Sequence, residues 1–309
     1  NIQFLLMGDN QLAKKWRLGY TAGANIMYLK FEQLSASVQN MLEKDNWIFN
    51  TGNKLTSALD DGHSRAMYSA FASAQLAYDE WLSLDITARN DWSSTLPKKN
   101  NSFFYPSASL SWVFSDFMRS IDHKLPSWIT FAKLRVSAAQ VGKDPAPYNL
   151  YNVRKYQFEM GNRKPINNTI KLNANLKPEI KTSYEVGVDM KFLDNRLGFD
   201  FTYYYNTTKN QAMLVDASSP WTQQWVNAGK INNTGVEFML YGTPVKTRDF
   251  QFDITANLAH NSSTVKELAD GVNRVYFAGD SNMPVKVGAV KGGKLGDIFA
   301  NNLMQRDAQ

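Results

Sequence analysis

From Ser183 to Asn206, apolar and polar residues alternate through two segments separated by Leu193-Asp-Asn-Arg196. Tyr184, Val186, Val188, Met190 and Phe192 share one face, against Glu185, Gly187, Asp189 and Lys191. After the break, Leu197, Phe199, Phe201, Tyr203 and Tyr205 oppose Asp200, Thr202, Tyr204 and Asn206. A period of two is the period of a strand, and an Asp-Asn break is tight-turn chemistry, so the stretch is a β-hairpin. A face carrying Glu, Asp and Lys is not a protein core. The opposite face is continuously apolar and aromatic. Each strand has about the ten residues that a tilted strand needs to cross the hydrocarbon of a bilayer.

The pattern recurs. Leu82, Leu84, Ile86 and Ala88 alternate with Ser83, Asp85, Thr87 and Arg89. On the return, Phe104, Ala108, Leu110, Trp112 and Phe114 alternate with Tyr105, Ser107, Ser109 and Ser111, with Pro106 near the start. Further strands are predicted at Trp16–Phe31, Arg65–Tyr78 and Ile129–Val141, the last with a phase jump that places a bulge near Ala132. Gly235–Tyr241 and Phe250–Ala259 form another hairpin about a Thr243–Asp249 turn containing Pro244. Between these lie polar stretches. Residues 32–64 read as a long loop with a short helix near Ser35–Glu43, and Ser115–Trp128 as a polar connection. Residues 142–178 are irregular, with one hairpin around Tyr151–Phe158, and 207–230 form an Asn- and Gln-rich loop. Val265–Phe277 has room for two short strands, and Val285–Gln309 is Gly-rich and polar. Tight turns alternating with long loops are the arrangement of an outer-membrane barrel, with the Asp91–Ser102 loop facing outward.

Composition leaves two all-β readings. No run of 18 apolar residues is present, so no transmembrane helix is predicted, but barrel strands alternate and need none. Mean hydropathy is −0.40. Aromatics make up 13% of the chain, as girdles at two membrane interfaces require and as a sugar-binding β-sandwich also permits. Strand length and unequal connections favour the barrel, because sandwich strands are short and their loops similar at both ends. There is no cysteine, which excludes disulfides, thiolate metal sites and a cysteine nucleophile. The net charge of +6 is scattered in groups such as Lys98–Lys99 and Arg163–Lys164, which argues against nucleic-acid binding. The opening NIQFLLMGDN has no basic region, long apolar core or cleavage site, so the chain reads as an internal fragment.

Four segments carry a resemblance. RNDWSSTLP at Arg89–Pro97 is followed by FFYPSASLSWVF at Phe103–Phe114. LKPEIKTSYEVGVDMKFLDNRLGFDFTYYYNTTKNQ spans Leu176–Gln211, VNAGKINNTGVEF spans Val226–Phe238 and GGKLGDIF spans Gly292–Phe299. In content and order they resemble the SusC/RagA family of TonB-dependent outer-membrane transporters. The resemblance implies a transmembrane antiparallel β-barrel of 22 strands, of which residues 1–309 would be a part without plug domain, TonB box or final strands. It implies energised import of oligosaccharides or peptides across the outer membrane. The implied partners are a SusD-like surface lipoprotein, the TonB–ExbB–ExbD complex and outer-membrane lipid, with a dimer of SusC–SusD pairs as an assembly. A siderophore-type TonB receptor or passive porin is the alternative within membranes. A secreted β-sandwich carbohydrate-binding module is the alternative outside them.

Residues for chemistry are sparse. His63, His123 and His260 are far apart and lack metal-ligand spacing, so they are expected on surface strands or loops, and no cofactor is implied. Glu185, Asp189, Asp200 and Asp253 read as lumen charges rather than as the carboxylate pair of a glycosidase. No catalytic residue is expected. The contact candidates lie at the outer end. Trp221 and Trp225 suit stacking on sugar rings, contact with a lid protein, or anchoring at the interface. Asp91, Trp92, Asn100 and Asn101 suit capping of their loop or contact with ligand.

Overall fold

The computed structural model describes residues 1–42, 44–45, 52–151, 155–159, 162–166, 169–278 and 285–300. In chain order its elements are β1 (Ile2–Ala13), β2 (Trp16–Met41), β3 (Gly52–Tyr78), β4 (Leu82–Ser93), β5 (Ser102–Val113) and the helix α1 (Phe114–Ser120). There follow β6 (Ile129–Lys143), β7 (Lys155–Glu159), β8 (Asn162–Ile166), β9 (Ile170–Lys171), β10 (Glu179–Phe192) and β11 (Leu197–Lys209). The last are β12 (Ala212–Asp216), β13 (Gln223–Asn227), β14 (Lys230–Lys246), β15 (Gln251–Glu267), β16 (Arg274–Ala278), β17 (Val285–Val290) and β18 (Asp297–Ala300).

Ten strands form one antiparallel sheet in the order β1-β2-β3-β4-β5-β6-β10-β11-β14-β15. Neighbours in space are neighbours in sequence once the loop strands are set aside, which is an up-and-down barrel wall. A single wide sheet also removes the sandwich reading, which needs two facing sheets. Pairing keeps the two faces separate: Leu84 meets Leu110, which meets Val136, which meets Val186, which meets Tyr203. The opposite face carries Asp85, Arg89, Arg135, Glu185, Asp189 and Asp200.

The apolar face ends in two aromatic rows. Near the short turns a chain of ring contacts runs from Trp16 to Tyr78 (4.7 Å), Trp81 (5.4 Å), Phe117 (4.8 Å) and Trp112 (5.7 Å). Near the other end Tyr68, Phe104 and Tyr184 stand exposed. The ten steps from Tyr68 to Tyr78, at about 3.3 Å each and a tilt of about 40°, give a band about 25 Å tall.

Proline marks where pairing stops. The β5–β6 ladder begins at Ser107, one residue past Pro106, so the proline occupies a stretch of β5 with no partner on β6. Pro244 lies inside β14, in a register shift between Gly242 and Val245, and the turn is Thr247–Phe250. The turn expected at Thr243–Asp249 is therefore a bulge followed by a shorter turn. The bulge expected near Ala132 falls at Thr130, between Ile129 and Phe131. In the Leu193–Arg196 turn, Asp194 and Asn195 take positive φ, 55° and 64°, residue types that tolerate that conformation.

Several polar stretches are strand rather than loop. Residues 32–41 and 52–64 continue β2 and β3, paired Glu32 to Gly62 and Leu34 to Asp60, so the helix expected from Ser35 is a strand as far as Met41; Glu43 lies outside the described residues. Backbone pairing holds this two-stranded ribbon where the sequence shows no alternation. Ser115–Trp128 contains α1. The hairpin expected at Tyr151–Phe158 is β7–β8, displaced toward Ile166. Residues 207–230 hold β12 and β13, joined by β9 in a small sheet, and Val285–Ala300 holds β17 and β18. Of the two short strands expected in Val265–Phe277, one is β16, while Val265 belongs to β15; residues 301–309 lie outside the described residues.

Candidate functional site: lumen wall and outer loop assembly

The charged face is organised by one arginine. Arg135 on β6 reaches over β10 to Asp200 on β11, donating from Nη1 to Oδ2 at 2.8 Å and from Nη2 to Oδ1 at 2.6 Å. Nη2 also donates to Thr202 Oγ1 at 2.6 Å. The strand it crosses offers Gly187, the direct partner of Arg135; a Cβ there would stand 2.4 Å from Arg135 Nε. Tyr204 lies over Gly235 in the same way, its ring 2.4 Å from where a Cβ would be. Long side chains thus lie flat on the wall over glycine, which keeps the inner surface polar without filling it. Glu185 and Asp189 share this face, so the four carboxylates singled out in the sequence are wall charges. Asp253 is on β15 and accepts from Thr243 Oγ1 at 2.6 Å.

Above the wall sits a buried polar network. Asp91 is 4% exposed and accepts from Arg89 Nε at 2.8 Å and from the Tyr105 hydroxyl. Arg89 also donates to Ser69 Oγ at 2.9 Å, tying β3, β4 and β5 together. Asp144, past the end of β6, is buried and accepts from Arg65 Nη2 at 2.7 Å, from Thr95 Oγ1 at 2.8 Å and from Ser93 Oγ. The Tyr148 hydroxyl meets the Ser64 hydroxyl at 3.5 Å and accepts from the Ser64 backbone N–H at 3.2 Å; the side-chain contact first and the backbone bond second lower the pKa of that phenol below its ordinary value.

Two straps complete the assembly. Asn100 Nδ2 donates to the carbonyls of Leu176 (3.0 Å) and Asn175 (3.3 Å). Asn227 brackets Lys177: its Oδ1 accepts from the Lys177 N–H at 2.7 Å and its Nδ2 donates to the Lys177 carbonyl at 2.9 Å. Leu176 is fully buried with Leu96 and Phe103, and Trp225 packs against that cluster. A second cluster, Met213, Val215, Ala228 and Val275, joins β12 to β16. Val265 N–H donates to the Gly293 carbonyl at 2.9 Å, fixing the Gly-rich loop.

The sequence candidates separate accordingly. Asp91, Asn100, Asn101 and Trp225 belong to this assembly: Asn101 through its carbonyl, which accepts from the Ser93 N–H at 2.9 Å. Trp92 lies on the apolar face opposite Tyr68 and Ser102. Trp221 stands apart in the β12–β13 turn, its N–H donating to the Ser218 carbonyl at 3.2 Å. Of the histidines, His63 stacks on Phe31 within the β2–β3 ribbon and His260 lies exposed on β15, both on strands, while His123 lies in the β5–β6 connection. Arg65, Asp144, Leu176 and Asn227 were missed as a group. Their only sequence signal was that Leu176 and Asn227 open the LKPE and NAG stretches of the segments that carry the family resemblance, which the fold presses together.

The family profile described as "TonB dependent receptor-like, beta-barrel" matches residues 4–287. TonB-dependent receptor P3 of Formosa agariphila is 26% identical over 215 residues, 66% of this chain and 21% of that protein. TonB-dependent receptor SusC of Bacteroides thetaiotaomicron is 28% identical over 209 residues, 63% of this chain and 20% of that protein. The chain therefore spans about a fifth of the length of the curated relatives it matches. The RagAB peptide importer in its closed-closed state superposes with a TM-score of 0.77 at 20% identity, over 94% of this chain and 32% of that one. Sheet order, the two-faced wall and this profile match agree: the chain belongs to the TonB-dependent receptor β-barrel family of the bacterial outer membrane.

Proposed function

We propose that residues 1–309 form part of the barrel wall and outer loops of a SusC-like importer. It takes up large nutrients, oligosaccharides or peptides, with a SusD-like lipoprotein over the loops and TonB–ExbB–ExbD supplying energy. Its role is transport, and no side chain here acts as catalyst. The observation that carries this reading is the outer assembly. Arg89–Leu96, Leu176–Lys177 and Asn227, from three separate motif segments, come together beside a polar wall through hydrogen bonds and the buried Leu96–Phe103–Leu176 cluster. A rigid, polar rim of this kind suits repeated seating of a lid and passage of a hydrated cargo. RagAB is named a peptide importer and SusC a TonB-dependent receptor, which supports the choice of cargo class.

The test is purification of the intact receptor from outer membranes, with identification of whatever accompanies it. Recovery of a surface lipoprotein, and loss of growth on one oligosaccharide or peptide mixture when the receptor is deleted, are the expected results. Uptake of a ferric siderophore without any lipoprotein would overturn the reading.

A further inference from the structure

The strands β5 and β6 are zipped for only part of their length. Their ladder runs from Val113–Lys133 to Ser107–Ala139 and stops there. Both strands go on outward: β5 continues to Ser102, paired with β4, and β6 to Lys143, paired with β10. Beyond Ser107 the wall is therefore forked, with residues 102–106 on one prong and 140–143 on the other. Pro106 has no N–H to offer where the fork begins. Phe103, 5% exposed, fills the gap, and a Cβ at Gly142 would run into its ring.

The fork starts at the outer aromatic row. Phe104 lies on one prong, and Tyr184 pairs with Ala138 just below the last rung. An open strand edge is not tolerated in hydrocarbon, but beyond it water answers backbone groups, so a fork at this height is inexpensive. Each prong is bound to its own side. Asn90 Nδ2 donates to Ser102 Oγ at 3.0 Å and the Tyr105 hydroxyl donates to Asp91, holding β5 to β4. Lys143 is in register with Glu179, holding β6 to β10. Two leaves result: β1–β5 with the β2–β3 ribbon, and β6 with β10, β11, β14 and β15. Side chains tie them together beyond the last rung. Asp144, the first residue past β6, accepts from Arg65 on β3, from Ser93 at the end of β4 and from Thr95 just after it. Lys99 Nζ donates to Asn175 Oδ1, and Asn100 Nδ2 to the Leu176 carbonyl. Such bonds release one at a time, whereas a ladder opens only by unzipping.

We infer that the outer wall is a two-leaved mouth, hinged at Ser107–Ala139 and latched at Asp144. With the latch closed, the leaves meet over the Phe103 ring. With it released, they part beyond the hinge and widen the entrance, while the lipid-embedded wall below stays zipped.

The test is a pair of distances between nitroxide labels, read by pulsed electron paramagnetic resonance in the intact receptor, freed of other cysteines and held in lipid nanodiscs. K98C/K177C spans the fork, and both of those lysines are exposed. A74C/A138C spans the zipped wall, in the row that runs through Ile86 and Ala108. D144A opens the latch, and S93A/T95V, which keeps the Arg65–Asp144 pair, opens it in part. Assembly is checked by outer-membrane abundance and heat-modifiable gel mobility, and S93A/T95V carries the test if D144A does not assemble. D144A is expected to raise the share of long K98C/K177C distances about tenfold and to leave A74C/A138C unchanged. An unchanged K98C/K177C distance in an assembled variant, or equal broadening of both pairs, would overturn the hinge.

Discussion

Replacing Gly187 with alanine tests how the inner wall is built. The new Cβ would stand 2.4 Å from Arg135 Nε and 2.8 Å from Cζ, so the guanidinium must leave its place over β10. That movement breaks the two-pronged contact with Asp200 and the bond to Thr202. Exposed ion pairs contribute about 0.2–1 kcal/mol, and hydrogen bonds to charged groups about 1.5–3 kcal/mol. The Arg135 and Asp200 side chains are 38% and 25% exposed, between those limits, so the expected loss is about 1–2 kcal/mol. The assay is reversible urea unfolding of the intact receptor in detergent, applied to G187A, R135A and the double variant. Because the loss acts through Arg135, G187A should add almost nothing in the R135A background. Strict additivity, or a G187A protein as stable as wild type, would refute the idea that the glycine exists to seat the arginine.

Three further outcomes are expected. D144A leaves Arg65, Ser93 and Thr95 without their shared acceptor, so the 143–150 segment should be cut by external protease at least tenfold faster on whole cells while the barrel still assembles; unchanged cleavage would count against the network. N227A removes the bracket on Lys177, and N227D keeps only the acceptor, so both should weaken the outer assembly, the alanine more, by about 1–3 kcal/mol in the same unfolding assay. Lys15 bonds Asp79 at 2.6 Å, and that hydrogen bond raises the lysine pKa above its ordinary value. A raised folded pKa gives stabilisation that is complete below the unfolded lysine value and fades as pH climbs through the folded one. K15M should therefore leave the shape of the stability profile between pH 5 and pH 9 unchanged, and a new slope in that window would contradict the pairing.

Where one face of a strand meets lipid, alternation reveals it, so β4, β5, β10 and β11 were legible residue by residue. The ribbon at 32–41 and 52–64 was not, since its residues show little alternation and only backbone pairing reveals it. The tight turn at Leu193–Arg196 was legible from Asp and Asn, whereas Pro244 misled because a bulge tolerates proline as readily as a turn does. The site was legible only in pieces. Asp91 and Asn100 could be named from their loop, but their partners lie far along the chain: Asn100 meets Leu176, and Asp144 meets Arg65. Contacts at that separation are set by which strands become neighbours, and no local pattern encodes them. Trp92 and Trp225 show the same limit. Both are tryptophans near an outer loop, yet one faces lipid and the other closes a cluster, and only sheet parity and the β12–β13 pairing separate them.

The β2–β3 ribbon continues some fifteen residues beyond the aromatic row at Tyr68, to Met41 and Gly52, which at about 3.3 Å per residue is roughly 50 Å along the strands. Mechanically it is a cantilever rooted in a stiff wall. Its root is clamped at Ser64 and Arg65, where Tyr148 and Asp144 take hold. A load applied near the tip, such as a docked particle or a grazing phage, arrives at that clamp as torque multiplied by the arm. Asp144 is therefore the fulcrum that converts a push outside the cell into strain on the segment joining β6 to the outer loops.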